Sequence, residues 1–172
     1  DFALYTSASD NTIRKIDSSG NEIWRYTGNS STSYSITADS NGFVYNGLND
    51  STLKKIDPDG NEIWIFTGHT SSIFGVDIDS KGNVYTGSRN GILKKIDSSG
   101  NEIWSFDLNT SLIRTVTVDS EDYIYVGSNN DVVKKLDSDG NEIWTFTGHT
   151  DYTNDIDVDS YGYVYSVSHD TT

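Results

Sequence analysis

The chain has no cysteine, no methionine, a single proline and no long apolar run. Without cysteine there is neither a disulfide framework nor thiol chemistry. No stretch approaches the ~20 consecutive apolar residues of a membrane-spanning helix, so membrane insertion is not expected, and no segment of the sequence reads as a signal peptide. Position 1 is Asp rather than Met, which points to an internal or processed start. Basic residues are scarce, 12 Lys and Arg against 26 Asp and Glu, for a net charge of −14. A surface of that sign repels phosphate backbones and anionic membranes, so nucleic acid is not an expected partner. The acid is nearly all Asp, 21 against 5 Glu. Tight turns favour Asp, and a dense carboxylate surface also stays hydrated in high salt; the composition fits both.

What the chain does have is repetition. Trp24, Trp64, Trp104 and Trp144 stand 40 residues apart, inside nearly the same phrase: KIDSSGNEIWRY, KIDPDGNEIWIF, KIDSSGNEIWSF and KLDSDGNEIWTF. A period near 40 built from short strand-like runs predicts an all-β β-propeller, one four-stranded antiparallel blade per repeat. The repeat units are about 3–42, 43–82, 83–122 and 123–162, followed by a surplus strand in 163–172.

Four strands per repeat follow from alternation and β-branched or aromatic content. Lettered from the centre outward, A is SYSITAD, IFGVDID, IRTVTVD and NDIDVD. B is ALYTS, FVYNG, NVYTG, YIYVG and YVYSV. C is TIRKID, TLKKID, ILKKID and VVKKLD, and D is EIWRYTG, EIWIFTG, EIWSFDL and EIWTFTG. A passes to B through DSNG, DSKG, DSED or DSYG, and C to D through DSSGN, DPDGN or DSDGN. Glycine in these loops supplies the positive φ that a hairpin needs. No segment keeps a 3.6-residue period, so no helix is expected. Strand B occurs five times and the others four times. The sequence therefore predicts four blades that are part of a larger ring, with a second chain as one way to complete it.

Recurrence at every period marks packing between blades. Trp24, Trp64, Trp104 and Trp144 on strand D, and Tyr5, Tyr45, Tyr85, Tyr125 and Tyr165 on strand B, are the expected inter-blade residues. Strand C carries a basic pair in every repeat, 8 of the 12 basic residues. Adjacent strand residues point to opposite faces, so the pairs predict no anion site. Their stems are expected to cover apolar surface and their heads to meet acids such as the Glu of NEIW.

The phrase KKIDSSGNEIWRYTG resembles the tryptophan-docking repeat of the pyrroloquinoline-quinone-type propellers. The stretch TGHTSSIFGVDIDSKGNVYTGSRNGILKKID also resembles a WD repeat, with Gly68-His69 and Gly148-His149 as its opening pair. Both resemblances imply a propeller. The WD tryptophan is replaced by Ile16, Ile56, Ile96 or Leu136, and two repeats open on Gly28-Asn29 and Leu108-Asn109, so a complete WD hydrogen-bond tetrad is not expected. Quinone enzymes of the first family use adjacent cysteines near the cofactor, and there are none here. The resemblance therefore implies the non-enzymatic branch, with no cofactor.

Repeats two and four share features that one and three lack: Asp59 and Asp139 for Ser19 and Ser99, His69 and His149 for Asn29 and Asn109, Asp77 and Asp157 for Thr37 and Thr117. An 80-residue unit is thus duplicated. Asp77, Asp157, Thr37 and Thr117 fall on strand A and are expected to line the channel. DPDGNE looks like a calcium loop but lacks the distal bidentate Glu, and the histidines have no partners at zinc spacing. No metal site, phosphate loop or Ser–His–Asp arrangement is predicted. The expected function is a non-catalytic scaffold that presents loops to a protein or glycan partner, at a cell surface, outside the cell or on a virion. The alternative is a structural or receptor-binding module of a larger assembly.

Overall fold

A computed structural model describes residues 3–8, 10–109 and 111–170. Its described residues form 17 strands and no helix. The first sheet is β1 (Ala3–Ser7), β2 (Ile13–Asp17) and β3 (Glu22–Tyr26). Three four-stranded sheets follow. They are β4 (Ser33–Ala38), β5 (Val44–Leu48), β6 (Leu53–Ile56) and β7 (Glu62–Phe66); β8 (Ile73–Ile78), β9 (Val84–Ser88), β10 (Ile92–Ile96) and β11 (Glu102–Asp107); β12 (Ile113–Val118), β13 (Ile124–Ser128), β14 (Val133–Leu136) and β15 (Glu142–Phe146). A two-stranded sheet, β16 (Thr153–Val158) and β17 (Val164–Ser168), comes last. All pairing is antiparallel between consecutive strands. The chain is a β-propeller array of blades. Each sheet runs A–B–C–D, one strand out of phase with the 40-residue units, which begin at strand B.

Blades converge on their A strands. Strand β4 packs on β8, β8 on β12 and β12 on β16, and each B strand also touches the next A strand. That approach requires glycine at one column. A Cβ on Gly47 would stand 2.7 Å from Ile73 Cγ2, and one on Gly87 would overlap Ile113 Cγ2 and lie 2.8 Å from Val116 Cγ2. Val44, Val84 and Ile124 on strand B, with Ile56, Ile96 and Leu136 on strand C, are fully buried against the preceding blade. Apolar burial between blades is therefore continuous along the stack, which is the main stabilising term available to it.

The two ends of the blades differ. At the lower end, every A–B and C–D turn closes the same way. Asp17, Asp39, Asp57, Asp79, Asp97, Asp119, Asp137 and Asp159 each accept the amide N–H groups of the residues two and four further on. Bonds from the Asn61 and Asn141 side-chain amides, then these backbone bonds, hold the carboxyls of Asp57 and Asp137 below their ordinary value, and for Asp17 and Asp97 the backbone bonds lead and the Asn21 and Asn101 side chains add to them. Much of the aspartate excess is thus turn chemistry. In DSED, Asp122 takes the left-handed position at φ 65°, and its carboxylate accepts from Ser80 of the neighbouring blade at 2.8 and 2.9 Å. The upper end carries the D–A and B–C connections, which are tied by a recurring backbone bond, the amides of Asn49, Arg89, Asn129 and His169 donating to the carbonyls of Thr32, Ser72, Leu112 and Tyr152, but not by a repeated aspartate.

Candidate functional site

The tryptophans hook each blade to the next. Nε1 of Trp24 donates to the Pro58 carbonyl at 2.9 Å, Trp64 to Ser98 at 3.2 Å and Trp104 to Ser138 at 3.3 Å. The second lysine of each basic pair donates to the same carbonyl: Lys15 to Pro58 at 3.1 Å, Lys55 to Ser98 at 3.0 Å, Lys95 to Ser138 at 2.9 Å. The first lysine pairs with the Glu of NEIW on its own blade: Lys54 with Glu62 at 2.9 Å, Lys94 with Glu102 at 2.8 Å, Lys134 with Glu142 at 2.7 Å; Lys54 also donates back to the preceding blade, to the Gly28 carbonyl at 2.7 Å and the Tyr26 hydroxyl at 3.0 Å. The four indoles are half-buried, and those of Trp24 and Trp64 lie under Gly60 and Gly100 of the next C–D turn. Trp144 meets no such carbonyl among the described residues.

The strand-B tyrosines separate by position. Tyr45, Tyr85 and Tyr125 are fully buried, with hydroxyl pKa values pushed up by burial, that of Tyr45 to about 12. Tyr5 is partly buried and reaches the Gly42 carbonyl of the next blade at 3.3 Å. Tyr165, expected between blades, is instead 58% exposed, since no sheet lies against the forward face of β17 in the structure.

On the A strands, Asp77 links three blades. Its carboxylate accepts from Thr37 Oγ1 at 3.2 Å and from the Val118 amide at 2.7 Å, and burial raises its pKa. Thr117 Oγ1 donates to the Ile156 carbonyl at 2.8 Å. Asp157 is exposed, and its carboxylate accepts the Val158 amide at 2.9 Å. The acidic positions are therefore not equivalent: Asp77 is an internal strut and Asp157 a surface group.

The histidines of repeats two and four sit edge-on to the strand-D phenylalanines, Phe66 with His69 and Phe146 with His149. Gly68 and Gly148 leave room for those rings, whereas beside Leu108 the Phe106 ring turns onto Trp104 at 4.9 Å. His69 Nε2 bonds Thr86 Oγ1 at 2.7 Å, and burial pulls its pKa down to about 4. The fold builds a Ser–His–Asp chain that the sequence did not disclose: Ser166 Oγ to His149 Nε2 at 2.7 Å, and His149 Nδ1 to Asp170 at 2.9 Å. The Asp170 carboxylate also accepts the Thr150 amide at 3.1 Å. Ser166 borders a cleft of about 380 Å³ with Trp144, Phe146 and Val164. The same histidine–hydroxyl bond recurs between His69 and buried Thr86, and in both blades it ties the D–A connection to strand B. Among the described residues, no group of three or more His, Asp or Glu is arranged to hold a metal ion.

The upper end gathers chemically unlike residues at equivalent positions. The A–B register shifts at the second residue of every A strand, which places a β-bulge at Tyr34, Phe74, Arg114 and Asn154. Tyr34 stacks on Phe74, centroids 4.3 Å apart and planes 14° from parallel. The Arg114 guanidinium lies 4.0 Å over the Tyr152 ring, which in turn meets His169 at 4.4 Å. Periodicity could not mark this column, because its residue types do not repeat.

No curated protein matches this chain. The protein family described as outer membrane protein assembly factor BamB, a pyrroloquinoline-quinone-type repeat family, matches it over residues 49–164. With well over half its length matched, and with blades hooked by their tryptophans, the protein belongs to that family.

Proposed function

We propose that the protein is a non-catalytic scaffold whose upper end binds a protein or glycan partner. The observation that carries this reading is the contrast between the two ends. The eight lower turns are built alike, as turns that serve only to close blades would be. The upper connections repeat their backbone bonds and bulges but carry different side chains from blade to blade, at Tyr34, Phe74, Arg114 and Asn154, and binding residues sit on loops held by a rigid scaffold. The family description, an assembly factor, is in keeping with such a role. The test is a glycan and peptide array probed with the protein and two variants. Binding abolished by Tyr34→Ala and unchanged by Lys81→Gln at a lower turn is expected. Binding that depends on the lower turns, or turnover of a bound ligand, would contradict the reading.

A specific observation also favours a ring completed between two copies. Val167 stands where Gly47, Gly87 and Gly127 face the next A strand, and it is 58% exposed. Ser33 of β4 holds the position of Ile73 and Ile113. A valine against a serine restores the volume of a glycine against an isoleucine, so β17 of one copy fits beside β4 of another in the place of β1. Light scattering should give twice the chain mass, reduced to one chain by Val167→Asp; a single-chain mass at all concentrations would refute this.

A further inference from the structure

Repeat three departs from its sisters at the D–A connection. Residues 26–29, 66–69 and 146–149 read YTGN, FTGH and FTGH, whereas 106–109 read FDLN. The glycine of the sister repeats is a seat for the ring two residues before it. A Cβ on Gly28, Gly68 or Gly148 would overlap the ring of Tyr26, Phe66 or Phe146. Leu108 carries such an atom, so the Phe106 ring has no room there. It lies instead under the next C–D turn, where a Cβ on Gly140 would overlap it; the matching Gly60 and Gly100 face Trp24 and Trp64. Between the third and fourth blades stands a cleft of about 360 Å³, and Asp107, Leu108, Asn130, Val132, Lys134 and Glu142 are among its lining residues.

The first junction shows what chemistry the Lys–Glu pair of this cleft accepts. There the Tyr26 hydroxyl sits between Lys54 and Glu62, the equivalents of Lys134 and Glu142. It accepts from Lys54 Nζ at 3.0 Å and donates to the Glu62 carboxylate. Lys54 spends its three N–H donors on Glu62, this hydroxyl and the Gly28 carbonyl. In the cleft, Lys134 still pairs with Glu142 at 2.7 Å and donates to Thr145 Oγ1 at 3.0 Å, which leaves its third N–H without an acceptor among the described residues. Position 106 is Phe, with no hydroxyl to supply. Further polar groups stand around the pair. Asp107 accepts the Asn109 amide through Oδ1 at 2.8 Å, and its Oδ2 has no donor among the described residues. Asn130 Oδ1 accepts from Ser111 Oγ at 2.7 Å, and its NH2 group has no acceptor among them. Leu108 and Val132 add an apolar wall.

We propose that this cleft binds a neutral hexose, one hydroxyl of which takes the place that Tyr26 fills in the first junction. That hydroxyl accepts from Lys134 and donates to Glu142. Its neighbours on the ring donate to Asp107 and accept from Asn130, and the C–H face of the ring lies on Leu108 and Val132. A hydroxyl both donates and accepts, which suits a paired ammonium and carboxylate, and a pocket of this volume has room for one sugar ring. Two carboxylates in the cleft and a net charge of −14 disfavour an anionic sugar. A phenol supplies one hydroxyl but nothing for Asp107 and Asn130. The site lies beside the outer strands C and D, apart from the bulged column of the A strands, and does not depend on the scaffold reading above.

NMR titration, followed at the Asn130 side-chain amide, tests it with the methyl glycosides of glucose, galactose and mannose and with N-acetyltyrosinamide as the phenol. At least one glycoside should bind and shift the Asn130 signals, and the phenol should not. Glu142→Gln should weaken binding about tenfold or more, while Glu102→Gln, the same change one blade earlier, leaves it unaltered. Glu142 is half exposed, so its variant keeps the fold. Leu108→Gly returns the seat to Phe106 and should abolish binding. Adding Phe106→Tyr rebuilds the first junction and puts a built-in hydroxyl on the Lys134–Glu142 pair, so this double variant should not bind either. No binding of any glycoside, tighter binding of N-acetyltyrosinamide, or glycoside binding undiminished in Glu142→Gln overturns the proposal. Tyr34→Ala should leave hexose binding unchanged, whereas the scaffold reading stands or falls on array binding lost with Tyr34→Ala.

Discussion

Replacing Gly87 by alanine tests the stacking of blades where it is tightest. The added methyl would overlap Ile113 Cγ2, stand 2.8 Å from Val116 Cγ2 and 3.0 Å from Ile113 Cβ. Ile113 is wholly buried and Val116 nearly so. Both are β-branched and cannot swing aside without leaving their preferred rotamer. Overpacking a tight core costs about 1–3 kcal/mol, and this contact belongs near the top of that range. Loss of glycine's freedom in the unfolded chain returns about 0.4–1 kcal/mol, which leaves a net loss of about 2 kcal/mol. Ile113→Ala alone opens a cavity and should cost about 2–5 kcal/mol. Combined, the methyl enters the space the isoleucine vacates, so the double variant should be more stable than the sum of singles by at least about 1 kcal/mol. Denaturant melts followed by tryptophan fluorescence give all four stabilities. A loss below about 0.5 kcal/mol for Gly87→Ala, or additivity within that margin, would refute the close approach of β9 and β12.

Two pH-dependent predictions follow from buried groups. His69 titrates at about 4 in the folded chain against an ordinary 6.5, so its stabilising neutral form is fully present above pH 6.5 and is lost as pH falls toward 4. That loss is about 3 kcal/mol, and His69→Asn, the residue of repeats one and three, should remove that part of the acid dependence in melts between pH 7 and 4. An unchanged profile would place His69 in water. Asp77 has the opposite sign: its raised pKa means the folded state disfavours the charge, so stability falls as pH rises above its ordinary value. Asp77→Asn keeps an acceptor for the Val118 amide and should be more stable than the parent at pH 7, the difference vanishing below pH 3.8; a less stable variant at pH 7 would mean that the ionised carboxylate is a net stabiliser of the three-blade link.

The strands, their order and the packing columns were legible because a 40-residue period repeats both the turn chemistry and the apolar face. Hence Tyr45, Tyr85 and Tyr125 are where the sequence put them. The inter-blade role of Lys15, Lys55 and Lys95 was hidden, since their acceptors lie 43 residues away and adopt position only when blades stack. The Ser166–His149–Asp170 chain joins a D–A connection to strand B and its exit, segments that no local pattern links. The bulged column was the least legible feature: a bulge is set by the register of the paired strand, and variation at Tyr34, Phe74 and Arg114 looks like noise beside the repeated columns. Tyr165 shows the limit of column reasoning, for a repeated residue packs between blades only where a next blade lies against it.

One register of stacked blades is what brings Tyr34, Phe74, Arg114 and Asn154 to the same end, and the indole hooks report on that stacking directly. Hydrogen exchange of the four tryptophan Nε1–H groups, followed by NMR on dilute single chains, should show Trp24, Trp64 and Trp104 protected and Trp144 exchanging freely. Four indoles exchanging at one rapid rate would contradict the docked stack, and with it the placement of the bulged column.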